Sequence, residues 1–282
     1  MIDLHAHTTA SDGTDSPAEL VARACRARLE ALGIADHDTL AGYDEAVPAA
    51  REAGLELVCG IEISTRHRGK AVHLLGYFLD GDPPPSFREW VTGKQAARRD
   101  RNARLAARLQ RLGIKISLEE AEAVGCHMTG RPHFARLLVE KGYARNAQEA
   151  FDNYIGESGS AFVRHESPSL FEAIGQVNAA DGLSSLAHPV RPGAGNHTSE
   201  ERWLAAMCEA GLRGIEAHHS DHEAADVERF LGYARKFGLA VTGGSDYHGD
   251  TKRGVELATG RNGNVLVPRS LLDELRRSLA GH

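Results

Sequence analysis

MIDLHAH, residues 1–7, is the stretch on which the fold turns: a short apolar run that ends in two histidines two positions apart. Side chains alternate across a β-strand, so His5 and His7 share one face and can aim both imidazoles at one point. A surface His-x-His pair arises often enough by chance. What gives this one meaning is that partners of the same chemistry recur along the chain, each near the end of another strand-like run. Residues 32–35 lead to Asp36-His37-Asp38, 55–63 carry Glu62, and 71–78 carry His73. Further on, 182–187 lead to His188-Pro189, 214–217 carry Glu216, and 239–244 lead to Ser245-Asp246-Tyr247-His248.

Helices are expected between these runs. Ser16-Pro17-Ala18-Glu19 has an N-cap followed by Pro in the first turn, predicting a helix over 17–30. Others are expected over 40–53, 169–180, 199–210 and 223–237. Strand alternating with helix is the cadence of a parallel α/β protein. The cadence breaks at Gly81-Asp82-Pro83-Pro84-Pro85. From 87 to 154 the pattern is helical, with Leu105, Leu109 and Leu112 at helical spacing, and strand character resumes at 161–163. The expected division is a barrel in two parts, 1–81 and 157–282, with an all-helical insert over 82–156 that covers the site.

With 282 residues, 41% of them hydrophobic, the chain can bury one barrel-sized core plus a small insert. Its 15 histidines are numerous, and several stand beside Asp, Glu or Gly outside helices, which favours metal or phosphate chemistry. Cys25, Cys59, Cys126 and Cys208 show no CxxC spacing and are expected as reduced core thiols. No apolar signal core or long apolar run is visible, so a soluble cytoplasmic protein with no membrane contact is expected. A net charge of −6 argues against a nucleic-acid-coating surface. Even so, Arg98, Arg99, Arg101, Arg104, Arg108 and Arg111 crowd one segment, where a local anion site fits.

In parallel α/β barrels, groups distant in sequence converge at the carboxyl ends of the strands. His5/His7, Asp36/His37, Glu62, His188 and Asp246/His248 all fall there, with Asp12 in the loop after the first strand and His73 within its own. Singly, a buried histidine is more often a hydrogen-bonded core residue. Together, these groups would cost several kcal/mol each to bury unless cations neutralised them. Imidazole and carboxylate ligands without Cys suit Mn²⁺, Fe²⁺ or Zn²⁺ rather than a structural thiolate site. His219 and His222 could line the same mouth, and Glu216 suits a supporting carboxylate.

The order His5/His7, Ser11-Asp12-Gly13, Asp36-His37, Gly60-Ile61-Glu62, His73, Ala187-His188-Pro189, Asp246-Tyr247-His248 resembles the PHP (polymerase and histidinol phosphatase) family of metal-dependent phosphoesterases. The resemblance implies a distorted (β/α)7 barrel holding two or three divalent ions, Mn²⁺ first and Fe²⁺ or Zn²⁺ next. It implies one ion on His5, His7, Glu62 and Asp246, a second on Glu62, His73 and His188, and a third on Asp12, His37 and His248.

More narrowly, the chain resembles the branch acting on nucleoside 3′,5′-bisphosphates and short RNA 5′ ends, which carries a helical insert after the fourth strand. The matching segments here are Arg98-Arg99-Asp100-Arg101-Asn102 and Arg131-Pro132-His133-Phe134-Ala135-Arg136. On that resemblance Arg98, Arg99, Asp100, Arg101, Arg131 and His133 would face the substrate, His133 and Asp246 would serve catalysis, and Arg191 is a further phosphate candidate. The implied substrate is a nucleotide or short oligonucleotide, with no stable nucleic-acid complex. Histidinol phosphate is the alternative substrate, and a non-catalytic, metal-stabilised binding module is the alternative of another class.

Overall fold

The computed structural model describes residues 1–125, 129–164, 167–191 and 197–280, in two compact units: Met1–Glu89 with Pro168–His282, and Trp90–Ser167. The chain runs β1 (Ile2–Ala6), α1 (Pro17–Arg26), β2 (Ala31–Ile34), α2 (Ala41–Ala53), β3 (Glu56–His67), β4 (Lys70–Phe78) and α3 (Pro85–Arg111). It continues with α4 (Leu118–Gly125), α5 (Arg131–Glu140), α6 (Ala147–Ala150), α7 (Leu170–Ala179), β5 (Leu183–Leu186) and α8 (His197–Glu209). Last come β6 (Gly214–His219), α9 (Ala224–Phe237), β7 (Ala240–Gly244) and α10 (Arg269–Ala280).

In the first unit the seven strands lie in chain order in one sheet. The sheet comes round on itself where Ala6 bridges Tyr247 and the Asp246 amide donates to His5 O at 2.7 Å, giving a nearly closed barrel. The wholly parallel cadence expected from the sequence does not hold. β4 is antiparallel to both β3 and β5, because only Arg68 and Gly69 separate it from β3. Both turn residues have positive φ, 49° and 81°, as a tight type I′ hairpin requires. The reversal has a functional consequence: the entering half of β4 lies where other strands exit, and His73 pairs across from Ser64, just beyond Glu62.

Local chemistry sets the boundaries. Ser16 and Glu19 form a reciprocal capping box at the start of α1. That helix ends at Arg26, short of the expected residue 30, because Arg28 turns the chain at φ 56° and the Glu30 amide donates to Met1 O. The expected strand over 161–163 is absent. Ala161 and Val163 are instead buried in the core of the second unit with Leu105, Leu109, Phe134, Leu138 and Ile155. Leu112, although on the helical period, is 49% exposed. The C-terminal α10, for which the sequence raised no expectation, contributes Leu271, Leu272 and Leu275 to the barrel core beside Ile2, Leu4 and Val58.

Of the cysteines, Cys59 is buried and Cys208 half-buried, but Cys25 is exposed rather than in the core, and Cys126 lies outside the described residues. Among the described residues no helix is long and apolar enough to cross a membrane.

The seam between β1 and β7 is packed without slack. Buried Asp3 accepts the amides of Ser245 (2.9 Å), Ala258 (2.8 Å) and His5 (3.1 Å), tying three segments to one carboxylate. A Cβ added at Gly244 would lie 2.3 Å from His5 N and 2.7 Å from Asp3 Oδ1. Gly244→Ala should therefore destabilise the chain by about 1–3 kcal/mol and displace His5, read as a lower midpoint of thermal unfolding. An unchanged midpoint would show that the seam can open.

Candidate metal centre

The side chains of this centre stand on a braced frame. Asp36, next to His37, accepts the Thr8 amide (2.8 Å), Thr8 Oγ1 (2.8 Å) and Ser11 Oγ (2.5 Å), which pins the loop after β1 that carries Asp12. Glu216 on β6 accepts from His5 Nδ1 through Oε1 and from the His188 amide through Oε2, each at 2.7 Å. His5 is thereby held with Nε2 turned inward. His188 and Asp246 adopt positive φ, 27° and 55°. Non-glycine residues in such conformations cost on the order of 1–3 kcal/mol each and persist where surrounding structure enforces them, most often at functional sites.

All nine histidines and acids expected from the sequence meet at one mouth of the barrel. His5, His7, Glu62 and Asp246 present four ligand atoms within 4.8 Å of one another. Within that set Glu62 Oε2 is 3.2 Å from both His5 Nε2 and His7 Nε2, and Asp246 Oδ1 is 3.5 and 3.3 Å from them. His7, Asp12, His37 and His248 form a second such group, and His37, Glu62 and His73 a third. Glu62 joins them: its Oε1 lies 2.7 Å from both His73 Nδ1 and His188 Nε2.

These residues fit divalent ions. Ligands about 2.0–2.2 Å from a tetrahedral ion are roughly 3.3–3.6 Å apart, close to the spacing of the first set. Asp246 Oδ1 and His37 Nδ1 are also buried without a hydrogen-bond partner among the described residues, which a coordinate bond would satisfy.

The charges interlock. Burial alone would raise the pKa of Glu62 and Asp246, yet the facing imidazoles hold both well below the carboxylate range. Burial opposes protonation of His7, but the facing carboxylates of Asp246 and Glu62 and the nearby Asp12 carry its pKa to about 10. His5 is likewise raised against burial by Glu216, Asp246 and Glu62. His188 is pushed down to about 4, chiefly by burial.

Two cations at this mouth bear on Asp246. Arg191 Nη2 and Lys252 Nζ each lie 2.6 Å from its Oδ2. Arg191, a phosphate candidate from the sequence, thus contacts Asp246 directly. Lys252 was not foreseen at all, since it sits on a short 3-10 turn (Gly249–Lys252) rather than at a strand end. His219 also reaches Asp246 Oδ2, at 3.1 Å, and His222 is buried with Nδ1 on Ala217 O.

The remaining candidates belong to the second unit. Arg99 pairs with Glu122, and Asp100 with Arg104, both on exposed surface. His133 Nδ1 accepts the Gly130 amide at the start of α5, a capping role. Arg101 is different: only 6% exposed, it has no partner on Nε or Nη1 among the described residues. Burial, with Arg98 and Arg131 close by, lowers its pKa to about 10.

Comparison with known proteins agrees with this geometry. The PHP domain family model matches residues 3–174. A 5′-3′ exoribonuclease of Haemophilus influenzae is 35% identical over 250 residues, covering 87% of this chain and 89% of the relative. A 3′,5′-nucleoside bisphosphate phosphatase of Chromobacterium violaceum is 32% identical over 249 residues, covering 88% and 87%. Among solved structures, a protein from Bifidobacterium adolescentis described as a metal-dependent phosphoesterase superposes with a TM-score of 0.77 at 33% identity, covering 100% of this chain and 98% of that one.

Proton competition supplies a test. The facing carboxylates raise the pKa of His5 and His7 against burial, so protons compete with an ion for their ring nitrogens. Metal affinity should rise with pH from 6 towards 10, with protons released on binding. Calorimetry in buffers of different ionisation enthalpy reads this directly, and absence of proton release at pH 7.5 would remove His5 and His7 from the ligand set. Glu216→Gln should weaken metal binding about 10- to 100-fold by freeing the His5 ring.

Proposed function

The chain belongs to the PHP domain family, and from that premise we propose that it is a metal-dependent phosphoesterase releasing the 3′-phosphate of nucleoside 3′,5′-bisphosphates and acting on 5′ ends of short RNA. It is a hydrolase of phosphate esters, as its relatives are. The observation that carries the reading is the meeting of His5, His7, Glu62 and Asp246 in one buried cage with an orphaned carboxylate oxygen.

In this reading Glu62 would hold ions together with His5, His7 and Asp246 and with His73 and His188, and Asp12, His37 and His248 would hold a further one. When bound, divalent ions supply Lewis acidity towards phosphoryl oxygens and acidify water at neutral pH. Mn²⁺ is the first choice for this nitrogen–oxygen set, with Fe²⁺ or Zn²⁺ next. The chain's own part is to hold the ligand atoms in register, through Glu216 on His5 and His188 and through Asp36 on the Asp12 loop.

Arg98, Arg101 and Arg131 are assigned to a phosphate of the nucleotide, since a guanidinium fork binds two oxygens at once. Arg101 supports this because a buried guanidinium whose Nε and Nη1 have no partner among the described residues is costly to keep. Its capping bond makes His133 the weaker candidate for a chemical role, and the surface ion pairs of Arg99 and Asp100 set them apart from the buried Arg101. A localisation in the cytoplasm fits such substrates.

A substrate panel with Mn²⁺ supplied tests the reading. Adenosine 3′,5′-bisphosphate should be hydrolysed in preference to histidinol phosphate, and the opposite preference would replace the proposed substrate class. Asp246→Ala should abolish turnover and lower bound metal, whereas full turnover without metal would contradict the scheme. Arg101→Met should raise stability by about 1–3 kcal/mol, by removing an unpaired buried charge, while raising KM. Lower stability with KM unchanged would make Arg101 structural.

A further inference from the structure

The two oxygens of Asp246 face different company. Oδ1 lies 3.3–3.5 Å from ring nitrogens of His5, His7 and His248 and takes part in no hydrogen bond. Oδ2 is met by Arg191 Nη2 at 2.6 Å, Lys252 Nζ at 2.6 Å and His219 Nε2 at 3.1 Å. A carboxylate oxygen offers about two lone-pair directions, so three neighbours oversubscribe it, and two of them are cations with N–H groups to spare. Arg191 spends further donors on Asp221, through Nε at 2.9 Å and Nη2 at 2.7 Å. For Lys252, Asp246 Oδ2 is the one hydrogen-bond acceptor among the described residues, against three N–H groups.

The Lys252 backbone is fixed while its ammonium is underused. The Asp250 amide donates to Thr14 Oγ1 at 3.0 Å, and Thr251 Oγ1 donates to Asp12 O and to His248 O, each at 3.0 Å. The turn is thus tied to the loop bearing Asp12 and to His248, and it delivers Nζ to the edge of the mouth with the side chain 16% exposed. An ion on Oδ1 would draw the carboxylate's charge towards itself and weaken Oδ2 as an acceptor. Arg191 and Lys252 would then present a double positive charge beside the ions with little to neutralise it.

Resting on the phosphoesterase reading above, we infer that Lys252, with Arg191, forms an anion subsite of the barrel itself, taking a non-bridging oxygen of the phosphoryl group at the metal centre. Arg191 supplies a fork held rigid by Asp221, and Lys252 supplies a point charge on a flexible stem that can move from Asp246 to the incoming oxygen. No covalent step is assigned to either.

Lys252→Gln and Lys252→Arg, loaded with Mn²⁺, test this with inorganic phosphate as probe. Binding is measured by calorimetry and as competitive inhibition, with metal per chain determined by elemental analysis. The Gln variant should keep the parent's metal content while its phosphate affinity falls about 10- to 100-fold, as loss of a charge-assisted hydrogen bond predicts. The Arg variant should retain most of the affinity. Unchanged phosphate affinity in the Gln variant overturns the inference. So does a loss of metal that accounts for the loss of phosphate, since Lys252 would then only position Asp246. If the Gln variant proves unstable, the Arg variant decides: retained affinity supports the subsite and lost affinity overturns it. If the metal-loaded parent neither binds phosphate nor hydrolyses any phosphoester, the phosphoesterase reading itself fails, a result distinguishable from failure of the Lys252 subsite alone.

Discussion

One carboxylate sets the terms for the rest of the molecule. Glu62 is fully buried, with two imidazoles at 2.7 Å on one oxygen and three more at 3.2–3.3 Å on the other. Desolvating so many ionisable groups together is costly, and the cost is offset only by a compact array of opposite charge. The raised pKa of His5 and His7 reflects the pull of the facing acids on positive charge, which divalent ions would meet more fully. The need to bring five histidines from four segments to one acid dictates a barrel with its mouth at that point.

The architecture answers that need through small departures from regularity. A two-residue turn reverses β4 so that His73 enters from the side on which its neighbours leave. Positive φ at His188 and Asp246 bends each chain inward immediately after its strand. Asp3, Asp36 and Glu216 carry no part of the cage, yet each fastens backbone or rings that do. Strain at the site is thus borne by buried hydrogen bonds around it.

Much of this was legible in the sequence, because residues two apart on a strand must share a face. The i, i+2 pairs at His5/His7 and Asp246/His248 announced convergence, and Gly81 to Pro85 marked the end of the first run of strands. Direction was harder to read: an Arg-Gly pair is a weak hairpin signal, so β4 passed as one more parallel strand. The apolar run at 161–163 resembles a strand locally but is used to fill a helical core, a choice made by tertiary packing. Lys252 was invisible because its position depends on a short turn anchored to Thr14 and to Asp12 O, contacts with no periodicity to betray them. Arg98, Arg99 and Arg101 were alike as substrate candidates in the sequence, and only burial distinguishes Arg101.

The central claim is spatial, and anomalous diffraction from crystals soaked in Mn²⁺ tests it most directly. Peaks should appear between His5 Nε2, His7 Nε2, Glu62 Oε2 and Asp246 Oδ1, and beside Glu62 Oε1 with His73 and His188. Peaks confined to surface carboxylates, with the cage empty at saturating metal, would contradict it.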